Sequence, residues 1–139
     1  MTIFNRALTK TANNQQITYV NQLYHLRGQC YFRLGQLDLA EKDFQEAIVI
    51  SDDRSKVILY NSLGKCKAQM ALRDPAQLEE AVKCFEKVLE FSNHTDGEGF
   101  FNLGLAYRKM KNSPVPKAIK QFTEALKYLK LNDQYQALV

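Results

Sequence analysis

No apolar run in the 139 residues is longer than four, as in Ala47 to Ile50. A membrane-spanning helix takes about 20 such residues and a secretion signal an apolar stretch of about 7 to 15, so neither is expected. Glycine and proline are scarce, at six and three residues, while 45% of the chain is hydrophobic and 24% charged. That balance excludes collagen-like and disordered chains. Cysteine is scarcer than a disulfide scaffold needs: Cys30, Cys66 and Cys84 are odd in number and widely spaced. A reducing, intracellular and cytoplasmic setting is therefore expected. The length suits one domain that buries about two thirds of its unfolded surface.

A strong excess of one charge is also missing. With 19 bases and 15 acids the net charge is +4, too mild to demand a nucleic acid or a membrane. The charges are nonetheless segregated. Six acids face one base, Lys42, between Asp38 and Asp53, and seven bases face one acid, Glu124, between Arg108 and Lys130.

What the chain does have is internal repetition. One phrase occurs four times, as Phe4-x-x-Ala7-Leu8, Phe44-x-x-Ala47-Ile48, Phe85-x-x-Val88-Leu89 and Phe122-x-x-Ala125-Leu126. In the last three, alanine stands four residues earlier, at Ala40, Ala81 and Ala118. The resulting i, i+4, i+7, i+8 stripe is that of an amphipathic helix. A second phrase lies upstream of each complete copy: Tyr24-x-x-Arg27-Gly28-x-x-Tyr31, Tyr60-x-x-Leu63-Gly64-x-x-Lys67 and Phe100-x-x-Leu103-Gly104-x-x-Tyr107. A glycine inside a helix costs about 1 kcal/mol against alanine, so three in one slot imply a common cause. Close approach of a neighbouring helix is that cause.

Breakers separate the two phrases. Gly35 ends the first helix, and Asp74-Pro75 and Ser113-Pro114 join a capping residue to a proline suited to a first helical turn. Polar turns at 51–53 and 92–97 part the units, and Thr95-x-x-Glu98 has the form of a capping box. Each unit reads as a helix hairpin, and the chain as an all-α solenoid.

These phrases resemble the tetratricopeptide repeat, which sets an aromatic, a leucine-glycine pair and a tyrosine on its first helix and an alanine and phenylalanine on its second. The resemblance implies three repeats, at 21–54, 57–95 and 97–132. Residues 1–16 would be part of a preceding repeat or a cap, and 133–139 the start of a further helix. Either the chain is cut from a longer array or both ends are improvised caps. Departures are visible: the glycines are 36 and 40 residues apart, beyond the family's 34. Extra residues before Ala81 and Ala118 must lengthen helices or turns. Arg27 replaces a leucine and Lys67 a tyrosine, which would open the superhelix locally.

Chemistry is sparse. His25 and His94 belong to no metal or nucleophile motif, and His25 and Cys30 are about 140° apart round a helix. The cysteines read as small buried filler. Gly97-x-Gly99 with Gly104 does not match a phosphate loop and reads as a flexible helix start. Glu79 and Glu80 are adjacent on a helix and diverge by about 100°, so they form no carboxylate pair. No catalytic residue, metal or cofactor is expected.

The resemblance implies a protein-interaction scaffold whose first helices line a concave face that takes a peptide. The residues it places there are Gln22, His25, Gln29 and Arg33, then Ile58, Asn61, Lys65 and Gln69, then Glu98, Phe101, Asn102, Leu105, Arg108 and Lys109. A branch of the family clamps chaperone carboxylates, and the matching positions here are His25, Gln29, Ser62, Glu98 and Asn102. Glu98 would repel a carboxylate, so that clamp is not expected. The alternative is a basic last hairpin that takes RNA, an acidic partner or a second copy of the chain. Nucleic acid ranks lowest, because the aromatics are committed to the repeating phrase.

Overall fold

A computed structural model describes residues 14–112 and 114–129. The end fragments expected at 1–16 and 133–139, apart from 14–16, lie outside the described residues. Among these residues there are six helices and no strand. Helices α1 (Asn14–Arg33) and α2 (Leu37–Val49) form the first hairpin, α3 (Asp53–Met70) and α4 (Gln77–Phe91) the second, and α5 (Gly97–Lys109) and α6 (Val115–Tyr128) the third.

Each helix packs chiefly on its hairpin partner, and each hairpin meets the next through the α2/α3 and α4/α5 seams. Successive first helices, α1 with α3 and α3 with α5, also touch, whereas successive second helices meet at most marginally. Helices that converge on one side and splay on the other make a stack curved toward the converging side. The first helices lie on that converging side, which is the inner surface.

The three helix glycines are seats for three phenylalanines. A Cβ on Gly28 would come 2.8 Å from the Phe44 ring and one on Gly104 2.6 Å from Phe122, while Gly64 sits closer still to Phe85. The expected close approach is thus between the two helices of each hairpin. Phe44 and Phe85 are almost wholly buried, each worth about 1.5 to 3 kcal/mol relative to exposure.

Two apolar clusters result. One joins Ala40 and Phe44 of α2 to Leu63 and Cys66 of α3 and Cys84 of α4. The other joins Ala81, Val82, Phe85 and Leu89 of α4 to Phe100, Leu103 and Ala106 of α5 and Ala125 of α6.

Turn chemistry follows the sequence in part. Gly35 adopts φ 79°, a left-handed conformation natural to glycine, and the Gln36 N–H returns to the Tyr31 carbonyl at 2.9 Å. Asp52 caps α3, its Oδ1 accepting from the Ser55 N–H at 2.8 Å. Three expectations need correction. Thr95 forms no capping box: its hydroxyl donates to the Ser92 carbonyl at 2.6 Å, and Glu98 is engaged elsewhere. Asp74 and Pro75 form a separate turn, and α4 starts later, at Gln77. Pro114 occupies the cap position of α6 rather than its first turn, and Pro116 lies inside that turn.

Gly97 and Gly99 are not loose helix-start residues either. A Cβ on Gly99 would fall 2.7 Å from Val88, so the α4/α5 seam closes on bare backbone there. Cys30 is exposed, contrary to the filler reading, while Cys66 and Cys84 are buried. The Cys66 thiol points back at the preceding hairpin, donating to the Leu37 carbonyl at 3.4 Å. Cys30 holds the same slot on α1, which has no hairpin before it among the described residues.

The two departures from the repeat pattern are each met by a carboxylate. Arg27 grips the buried Asp43 with two hydrogen bonds of 2.8 Å, and Lys67 reaches Glu41 on α2 and Gln77 on α4. Charge pairing thus occupies the places where an opening was expected.

Candidate functional site

The inner surface is held by polar links that recur with the repeat. His25 stands three residues before Gly28, and its Nε2 lies 3.1 Å from the hydroxyl of Ser62, which stands two before Gly64. One hairpin later, Asn61 is three before Gly64 and Asn102 two before Gly104. The Asn102 amide donates to Asn61 Oδ1 at 3.2 Å, and Asn61 donates to Asp96 Oδ2 at 2.8 Å. The same two helix positions therefore join α1 to α3 and α3 to α5.

These links decide which residues a partner could reach. Asn61 and Asn102 are buried, with their amides turned on one another. His25 is half-buried with its ring edge against Phe44, and desolvation holds its pKa below the ordinary value. These three are tied into the links between the first helices. Lys65 is exposed but paired with the equally exposed Glu98, a bond worth at most about 1 kcal/mol in water.

Gln22, Gln29, Arg33, Gln69, Phe101, Arg108 and Lys109 are exposed, and Leu105 is half-buried. Three large apolar side chains stand on this face, Leu26 and Ile58 at 57% exposure and Phe101 at 45%. Between α1 and α3 lies a cleft of about 540 Å³, lined by Leu26, Gln29, Arg33, Ser62 and Lys65 among others. Gln69 lines a different cleft, on the turn side. Leu26 was missed in the sequence. Its signal is the stripe 22, 26, 29, 33, which shares one helix face.

The acidic block is largely consumed within the chain, and the basic block in part. Asp43 pairs with Arg27, Glu41 with Lys67, and Asp53 with Lys56, while Asp52 is a cap. In the basic block, Lys117 sits over the Tyr107 ring at 5.8 Å and Lys127 pairs with Glu124. Among the described residues no group of three or more His, Cys, Asp or Glu side chains could hold a metal ion. No helix among them is long and apolar enough to cross a membrane.

The family model described as "Tetratricopeptide repeat" matches residues 22–53, which cover the later part of α1 and all of α2. No curated protein matches the chain.

Proposed function

We propose that this chain is a non-catalytic scaffold segment, because residues 22–53 match the tetratricopeptide repeat, a unit that generally mediates protein–protein interaction. Its inner surface takes an extended or helical stretch of a partner protein. The supporting observation is that Ile58 and Phe101 stand exposed on helices already fixed by the His25–Ser62 and Asn61–Asn102 links. A surface ordered before binding spares the partner complex part of its entropy cost.

The two aromatic and aliphatic side chains would seat apolar residues of the partner, while Gln22, Gln29, Arg108 and Lys109 bond its backbone or polar groups. The Lys65–Glu98 pair leaves this part of the surface neutral, which disfavours a carboxylate clamp. The domain limits at 21–54, 57–95 and 97–132 belong to the same reading.

A peptide selected from a random library against the chain tests it. Its affinity should fall tenfold or more in the Ile58→Asp/Phe101→Asp variant and stay unchanged in Glu86→Ala, on the exposed side of α4. Equal affinity in all three proteins would reject the inner-surface reading.

A further inference from the structure

The second hairpin carries an insertion, and the insertion builds a cleft outside the inner surface. From helix glycine to helix alanine the first hairpin takes 12 residues (Gly28 to Ala40) and the second 17 (Gly64 to Ala81). The turn between helices accordingly grows from the three residues 34–36 to the six residues 71–76. Insertions in stacked repeats gather on one face, often a binding face.

Here the two turns border an open cleft of about 930 Å³. That volume lies within the usual range of ligand clefts, about 300 to 1,000 Å³. Its floor is Phe32 and Met70, both half-buried and packed on the first core cluster. Its rim holds Leu39 and the inserted Leu72, the latter 73% exposed. Solvating a leucine this fully on a lengthened turn has no folding benefit, since it leaves water only when something covers it.

Unpaired charge around the cleft is positive on balance, two arginines against Asp38. Asp74 is spent on its own turn, with Oδ1 accepting from the Ala76 N–H at 3.3 Å and Oδ2 from the Gln77 amide at 3.2 Å. Asp38 lies in the first turn of α2, where the helix dipole favours a negative charge. Arg33 and Arg73 also line the cleft, and neither has an ion pair or side-chain hydrogen bond among the described residues. Guanidinium groups match carboxylates in two-pronged geometry.

We infer that this turn-side cleft is a second docking site, which takes an acidic segment of a partner protein carrying one bulky apolar side chain. The apolar group enters between Leu39 and Leu72 onto Phe32 and Met70, and flanking carboxylates meet Arg33 and Arg73. The site is separate from the inner surface except for Phe32 and Arg33, which border both clefts.

An array of nonapeptides tests the inference, each with a central leucine, phenylalanine or serine flanked by acidic, neutral or basic residues. The full-length chain is the probe, and the best binder is then titrated by fluorescence anisotropy. Acidic peptides with an apolar centre should rank first. Leu72→Ser/Arg73→Glu should weaken the best of them tenfold or more, while Ile58→Asp/Phe101→Asp leaves it within twofold. Both Leu72 and Arg73 are exposed, so circular dichroism should show unchanged helicity. Equal binding of serine-centred or basic peptides, displacement by an RNA oligomer at equal charge, or retained affinity in the Leu72→Ser/Arg73→Glu variant would each overturn it. Loss only in the inner-surface variant would overturn it too, while leaving the inner-surface reading intact.

Discussion

Gly64 on α3 and the ring of Phe85 on α4 occupy complementary space: a single added side-chain carbon on the glycine would overlap the ring. The repeating glycine is therefore half of a joint whose other half is the repeating phenylalanine. Gly64→Leu should destabilise the fold by about 1 to 3 kcal/mol through overpacking. Phe85→Ala should cost about 3 to 5 kcal/mol by leaving a cavity. In the Gly64→Leu/Phe85→Ala variant, urea unfolding should give a loss smaller than the sum, because the leucine enters the vacated space. Strict additivity would mean the two residues do not share that volume.

The Lys67–Glu41 pair fastens the second hairpin to the first where the repeat pattern has a tyrosine. The two side chains are only 12% and 21% exposed, so each charge is largely removed from water. Removing one partner of a fully buried pair costs about 3 to 5 kcal/mol; at this residual exposure Lys67→Met or Glu41→Gln should cost about 1 to 3. The double variant should cost less than the two single ones together, and a thermodynamic cycle from chemical denaturation measures the coupling.

His25 links stability to pH. Burial depresses its pKa in the folded chain, so folding favours the neutral ring while the unfolded chain takes up a proton near the ordinary value, about 6.5. The contribution is complete above that value and is lost as pH falls toward the folded pKa. The melting temperature should therefore decline from pH 7.5 to 5.5, and decline less in His25→Asn. Asparagine is the residue the next hairpin uses in this slot, so the link to Ser62 can be retained. Parallel melting profiles for the two proteins would show that His25 does not carry the effect.

The thiols should fall into two classes. Desolvation raises the pKa of Cys66 to about 11 and of Cys84 to about 12, and both side chains are buried. Cys30 is exposed. In native protein at neutral pH, iodoacetamide should label Cys30 first, as read by peptide mass spectrometry, and Cys30→Ser should abolish the rapid phase. Comparable labelling of Cys66 would contradict its place behind Leu37.

The hairpins were legible because helical periodicity is local and the glycine and phenylalanine phrases recur at matching places. The relation between hairpins was less so. Asn61 and Asn102 read as free amides on an exposed stripe, yet the stagger of successive helices aims one at the other. Arg27 and Lys67 read as gaps because their carboxylate partners lie 16 and 26 residues away on another helix. The fate of Thr95 depended on Asn93 and His94, whose φ values of 54° and 59° turn the chain back toward Leu89. Single-residue motifs do not foresee such a reversal.

The middle of the chain carries a burden the ends do not. Cys84 closes one oily cluster and its neighbour Phe85 anchors the other, so α4 is a party wall between two rooms. Excising residues 77–91 would strip the covering from Leu63 and Cys66 on one side and from Phe100 and Leu103 on the other. A shortened version of this protein can dispense with an outer hairpin more readily than with that one wall.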